Sequence, residues 1–213
     1  MINNLKSQTA EELLARWFPE RTIIIDPWLR GEETCVVWAA SGVGKTMFSL
    51  SLAMAVAGGG CLGDWSAPEP RKVLYVDGEM NIRDLQERIR LMMHQKSILT
   101  SDQATWAGQN LTIIARQDQD DQEFYDVTNT DHQKALIKRV KNDGFELVIL
   151  DNFTTLSTGL DDENDATAFK QVQELFMELK RAGVATILVH HANKGGRSEL
   201  CPKVGDGVIR RLG

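Results

Sequence analysis

Three observations predict an α/β fold with a mostly parallel central sheet and helices on both faces. Short apolar runs alternate with helix-like stretches from residue 34 to residue 189, the order that builds βαβ crossovers. The run Leu147-Val148-Ile149-Leu150 is apolar without interruption, as expected of a strand buried on both faces. Between the strand-like Thr34-Cys35-Val36-Val37-Trp38 and the helix-like Met47 to Ala57 lies Ala39-Ala40-Ser41-Gly42-Val43-Gly44-Lys45-Thr46. That is where a phosphate-binding loop belongs.

Each element has its own local reason. Thr9-Ala10-Glu11-Glu12 has the form of a capping box ahead of Leu13, Leu14 and Trp17, so a short helix is expected before Pro19. Ile23-Ile24-Ile25 and Pro27-Trp28 lead into the first core strand. Gly58-Gly59-Gly60 stops the helix after the loop, and a turn-rich stretch through Pro68 and Pro70 precedes the strand Val73-Leu74-Tyr75-Val76. Asn81 can cap a helix whose Leu85, Ile89 and Met92 share a face. Leu111-Thr112-Ile113-Ile114 is the next strand, and Thr130-Asp131-His132-Gln133 reads as a capping box for a helix carrying Leu136, Ile137 and Val140. A long helix after Asp165 places Phe169, Val172, Phe176 and Leu179 on one stripe; Gly183 ends it, and Val184 to Val189 is the last clear strand. With no internal repeat or low-complexity linker, the chain divides into a helical lead-in over 1–20, one core over 21–196 and a short basic tail over 197–213.

Composition narrows the function classes. A chain of 213 residues, 42% hydrophobic and 25% charged, is an ordinary globule of about one domain. No apolar run approaches the roughly 18 residues of a membrane span, and Met1 to Glu12 lacks the basic-then-apolar order of a secretion signal, so a cytoplasmic protein is expected. Cys35, Cys61 and Cys201 show no metal or redox spacing. The net charge of −6 argues against a whole-surface nucleic-acid binder, but the charge is uneven. Asp118 to Asp131 holds six acids and no base, whereas Lys194 to Gly213 holds five bases against two acids. That basic end is either a solvated tail or a polyanion contact.

Glycines at 42 and 44 let successive backbone N–H groups turn toward phosphate oxygens at a helix N-terminus. The candidate nucleotide-binding residues are Ser41, Gly42, Val43, Gly44, Lys45, Thr46 and Met47. Lys45 is placed to reach the β- and γ-phosphates and the Thr46 hydroxyl to meet Mg²⁺. Ala39 stands where the pattern usually begins with glycine, which is tolerable if its φ stays negative. Open α/β sheets gather their ligand groups at strand ends. Asp151, directly after Leu150, is the second candidate metal residue, acting through the metal's water shell. In Asp77-Gly78-Glu79, either Glu79 or Asp77 can deprotonate an attacking water, Glu79 being preferred, and partial burial is expected to raise the carboxyl pKa of whichever serves. His190 and His191 close the last strand on opposite faces, so one can be a core residue while the other, His191 being preferred, hydrogen-bonds the γ-phosphate or the water. Zinc is disfavoured, because no third and fourth ligand accompany them. Asn193 and Lys194 just beyond can relay the nucleotide state to the basic tail, but a plain loop is the preferred reading.

In this order, Ala39 to Thr46, Val73 to Glu79, Leu147 to Asn152 and Ile187 to Lys194 resemble the RecA-type ATPases. The likeness is strongest to the branch that includes the plasmid hexameric helicase RepA and the AAA family ATPases of phage and plasmid replication modules. It covers Pro19 to Gly196, and its specific parts are "VLYVDGEM" and "LVHHANKGG". The resemblance implies a RecA-like P-loop NTPase fold that binds and hydrolyses ATP with Mg²⁺. It implies Lys45 and Thr46 on phosphate and metal, Glu79 as catalytic base, Asp151 as the Walker B acid and His191 as γ-phosphate sensor. It also implies a homo-oligomeric ring, such as a hexamer, with ATP at each interface and single-stranded DNA in the centre. Similar chains continue with an Arg-Gly-Ser/Thr-Ser segment and strands that present an arginine finger; this one runs Arg197-Ser198-Glu199-Leu200 and stops at Gly213, as a truncated chain would. The competing functions are a motor or loader on single-stranded DNA and an ATP-gated module with little turnover. A small-molecule P-loop kinase is disfavoured, because no arginine-rich lid is evident.

Overall fold

The computed structural model describes residues 5–120, 124–158, 166–191 and 208–212, with 166–169 and 208–212 described by backbone alone. The first helix, α1 (Ala10–Leu14), starts at the anticipated capping box: Thr9 accepts from the Glu12 N–H and Glu12 accepts from the Thr9 N–H. An antiparallel ribbon of β1 (Ile23–Ile25) and β2 (Leu29–Arg30) follows. The core then runs β3 (Thr34–Ala39), α2 (Lys45–Gly58), a hairpin of β4 (Cys61–Leu62) and β5 (Trp65–Ser66), β6 (Val73–Asp77), α3 (Ile82–Met93), α4 (Ser101–Asn110) and β7 (Leu111–Ala115). It continues through α5 (Thr130–Asp143), β8 (Leu147–Asp151), α6 (Phe153–Leu156), α7 (Ala166–Arg181), β9 (Ala185–His191) and β10 (Val208–Leu212).

The central sheet has the order β10-β3-β9-β8-β6-β7. Five of its strands are parallel, and β10 lies antiparallel to β3 at the edge. Both faces are buried, so alternate residues of each strand feed two cores. Cys35, Val37, Tyr75, Ile149 and Ile187 pack under α2, α3 and α4, while Val36, Trp38, Leu74, Val76, Val148 and Leu150 pack against α5, α6 and α7. Each fully buried aliphatic side chain contributes about 1.5–3 kcal/mol. The mostly parallel sheet with helices on both faces is the predicted one.

Local features differ from the sequence reading at several points. The loop helix begins at Lys45 rather than Met47. Helix α4 was not anticipated, since Ala107 is its one buried residue and it carries no apolar stripe. Its signal was the Thr100–Gln103 capping box; Gln103 also donates to the Gly59 carbonyl, tying α4 to the end of α2. A Cβ on Gly58 would lie 2.6 Å from the Gln103 carbonyl oxygen, so only glycine allows this approach. In α5 the cap is Asn129 rather than Thr130, and Gln133 does not reach back to close a box. It turns inward, donating to the carbonyls of Val127 and Gln171. Finally, β10 falls within the span read as a tail, where Val208-Ile209 pair with Trp38 and Val37.

Candidate nucleotide site

The parallel register brings the carboxyl ends of β3, β9, β8 and β6 together: Ala39 lies beside His191, and Asp151 is flanked by Asp77 and Val189. This is the edge at which open α/β sheets bind ligands. Gly42 and Gly44 have φ of 83° and 93°. A Cβ at either would meet no atom within 4 Å, so glycine serves the backbone turn rather than a tight contact. Among the described residues Glu32 is the one non-glycine with positive φ, so Ala39 keeps the negative φ its methyl requires. The N-cap of α2 is Gly44, without a side-chain cap. The first-turn N–H groups therefore face the loop as anion donors.

Lys45 curves over this loop and donates to the carbonyls of Ala39 at 2.7 Å and Ala40 at 2.8 Å. Burial lowers its ammonium pKa, and the charges of Asp151 and Glu79 counter that shift. Asp151 Oδ2 accepts from Tyr75 OH at 2.5 Å and from Ser49 Oγ at 3.2 Å, and the Thr46 hydroxyl also bonds its carboxyl. Burial pushes the Asp151 pKa up; the hydrogen bonds from Tyr75, Thr46 and Ser49 pull it back. A hydroxyl and a single carboxylate, hard oxygen donors side by side, suit Mg²⁺, which takes its remaining ligands from water and phosphate. No cluster of three or more His, Cys, Asp or Glu with ligand geometry occurs among the described residues.

The two candidate bases are separated by burial. Asp77 is 1% exposed and its Oδ2 accepts from the Met80 N–H at 2.8 Å. Burial raises its carboxyl pKa to about 6, Met80 opposing and Asp151 adding to the shift. Glu79 differs from expectation: its side chain is 62% exposed, because it stands past the strand end, facing the loop. Glu79 Oε2 accepts from Asn152 Nδ2 at 2.6 Å, and His191 Nε2 is 3.7 Å from the same oxygen. His191 Nδ1 lies 3.2 Å from Ser41 Oγ. The expected opposition of the two histidines holds: His190 packs edge-on against Phe153 on the other side of the sheet.

Six predicted positions therefore converge: Ser41, Lys45, Thr46, Glu79, Asp151 and His191. Gly42 and Gly44 shape the loop, while Val43 and Met47, 63% and 40% exposed, lie on its outside. Asn193, Lys194 and Arg197 fall outside the described residues. The sequence reading missed Asn152, Tyr75 and Ser49. Asn152 was signalled only by its place after Asp151; Tyr75 was hidden in an apolar run, and Ser49 in a helix read for its hydrophobic residues.

The model of the AAA domain family matches residues 3–197 of this chain. No curated protein matches significantly. Among solved structures, a KaiC-like protein from the hyperthermophilic archaeon Pyrococcus horikoshii OT3 superposes with a TM-score of 0.53 at 17% identity, over 79% of this chain and 65% of that one. RadB recombinase matches with a TM-score of 0.48 at 17% identity, over 80% and 66%. The chain thus spans just under two thirds of the length of these solved proteins. At such identity the KaiC-like neighbour speaks for the fold alone, and that fold is the RecA-type sheet described above. Since the family model spans nearly the whole core, phosphate loop included, the chain belongs to the AAA domain family.

Proposed function

We propose that this chain hydrolyses Mg-ATP at the carboxyl edge of its sheet and couples that turnover to single-stranded DNA, as a RepA-like helicase or loader in plasmid or phage replication. The supporting observation is the convergence of Glu79, Asn152, His191 and Ser41 beside Lys45 and Thr46. Magnesium, when bound, neutralises charge on the β- and γ-phosphates. Lys45 exchanges its two loop carbonyls for phosphate oxygens. Glu79 takes a proton from water as the water oxygen bonds to the γ-phosphorus and the bond to the leaving ADP oxygen breaks. His191, carried beside the loop by β9, senses the γ-phosphate.

The DNA role rests on the likeness of "VLYVDGEM" and "LVHHANKGG" to replication ATPases. We further propose a homo-oligomeric ring, a cytoplasmic location, and the division into lead-in 1–20, core 21–196 and basic tail 197–213. No helix among the described residues is long and apolar enough to cross a membrane. A second reading, an ATP-gated module with little turnover, is favoured by the Asn152–Glu79 bond, which engages an oxygen the base needs.

The test is phosphate release with and without single-stranded DNA, alongside size-exclusion with a non-hydrolysable ATP analogue. Stimulation with ring formation supports the motor, whereas binding with neither supports the gated module. No heat of Mg-ATP binding, and no effect of Lys45→Ala on any assay, would defeat both.

A further inference from the structure

Tyr75 sits at the centre of β6, wholly buried, in the core between the sheet and α2. Every apolar contact of its ring would be kept by phenylalanine, which has no hydroxyl to satisfy in that setting. The hydroxyl has a specific partner: it donates to Asp151 Oδ2 at 2.5 Å. Ser49, also fully buried, places its Oγ 2.9 Å from Tyr75 OH and 3.2 Å from the same Oδ2. Ser49 has one proton and a further acceptor, the Thr46 carbonyl, at 3.1 Å. Tyr75 is therefore the committed donor, and Ser49 completes the triangle. A carboxylate with one oxygen held from within the core cannot rotate freely, and Thr46, at the start of α2, also acts on this carboxyl.

We infer that Tyr75 is a positioning residue for the metal: its phenol, assisted by Ser49, locks Asp151 so that a single carboxylate oxygen faces the magnesium water shell beside Thr46. This rests on the Mg-ATP reading above. It makes the sheet interior, and not only the loop, a determinant of metal coupling. Partners behind metal ligands commonly govern about 10- to 100-fold in metal affinity or activity.

The experiment is calorimetric titration of ATP with magnesium and with EDTA, which reads the magnesium-dependent gain in affinity without turnover. In Tyr75→Phe that gain shrinks about tenfold, while affinity in EDTA stays within about twofold and the magnesium concentration for half-maximal turnover rises. Ser49→Ala gives a smaller loss of the same kind, and it decides the question if Tyr75→Phe does not fold. An unchanged gain in folded Tyr75→Phe, or in Ser49→Ala where that variant alone folds, overturns the proposal. A wild-type protein whose ATP affinity ignores magnesium overturns the Mg-ATP reading as well.

Discussion

Asn152 donates one hydrogen bond to Glu79 Oε2 at 2.6 Å, and the same nitrogen lies 3.0 Å from His191 Nε2. Its amide orientation is set by the Thr155 N–H, which donates to Asn152 Oδ1 at 3.2 Å. With the Asn152 nitrogen a donor, His191 Nε2 accepts, so Nδ1 carries the proton donated to Ser41 Oγ. A short turn after β8 thus connects Glu79, His191 and the phosphate loop.

Replacing the proposed base, Glu79, is expected to separate binding from turnover. Glu79→Gln keeps an acceptor for Asn152 but cannot take a proton, so phosphate release is expected to fall by about 10²- to 10⁴-fold with ATP affinity retained. Single-turnover kinetics and calorimetry check this, and undiminished release would return the role to Asp77.

Asp77 makes stability depend on pH. Its carboxyl is raised by burial from 3.8 to about 6, so the folded chain holds this proton more tightly than the unfolded chain does. Stability from this group is therefore greatest below about pH 4 and falls as pH rises through about 6. In urea unfolding, Asp77→Asn is expected to gain on the wild type between about pH 4 and pH 7, because the amide cannot ionise. A pH-independent difference between the two proteins would contradict the assignment.

Gly78 packs its backbone against α6. A methyl there would run into Thr155 Oγ1 and press on Leu156, displacing the turn that orients Asn152. Gly78→Ala should cost about 1–3 kcal/mol by overpacking and lower turnover at temperatures where the variant is still folded. Thermal melts beside kcat measurements distinguish the two effects.

Gln133 holds two buried carbonyls, donating to Val127 at 2.6 Å and Gln171 at 3.0 Å. Gln133→Leu leaves both without this donor, and a loss of about 1–3 kcal/mol is expected in chemical denaturation. Stability equal to the wild type would mean that other donors replace the amide.

Much of the fold was legible locally. The phosphate loop could be read because glycine spacing, Lys45 and Thr46 are consecutive in the chain, and the capping boxes because their partners lie three residues apart. The strands of the sheet were visible because burial on both faces demands uninterrupted apolar runs. Helix α4 was obscured because it covers α2 with small and polar residues, and β10 because Arg210 and Arg211 break the apolar run by which the other strands were read.

At the site, the residue types at the strand ends pointed to phosphate chemistry, since phosphate, metal and water each call for a particular functional group. What joins them was decided by register. Only the parallel pairing of β6, β8 and β9 places Asn152 between Glu79 and His191, and Tyr75 under Asp151, residues separated by 39 to 76 positions. Contacts at that range depend on which strands become neighbours, and burial of the whole sheet determines that, not any local pattern.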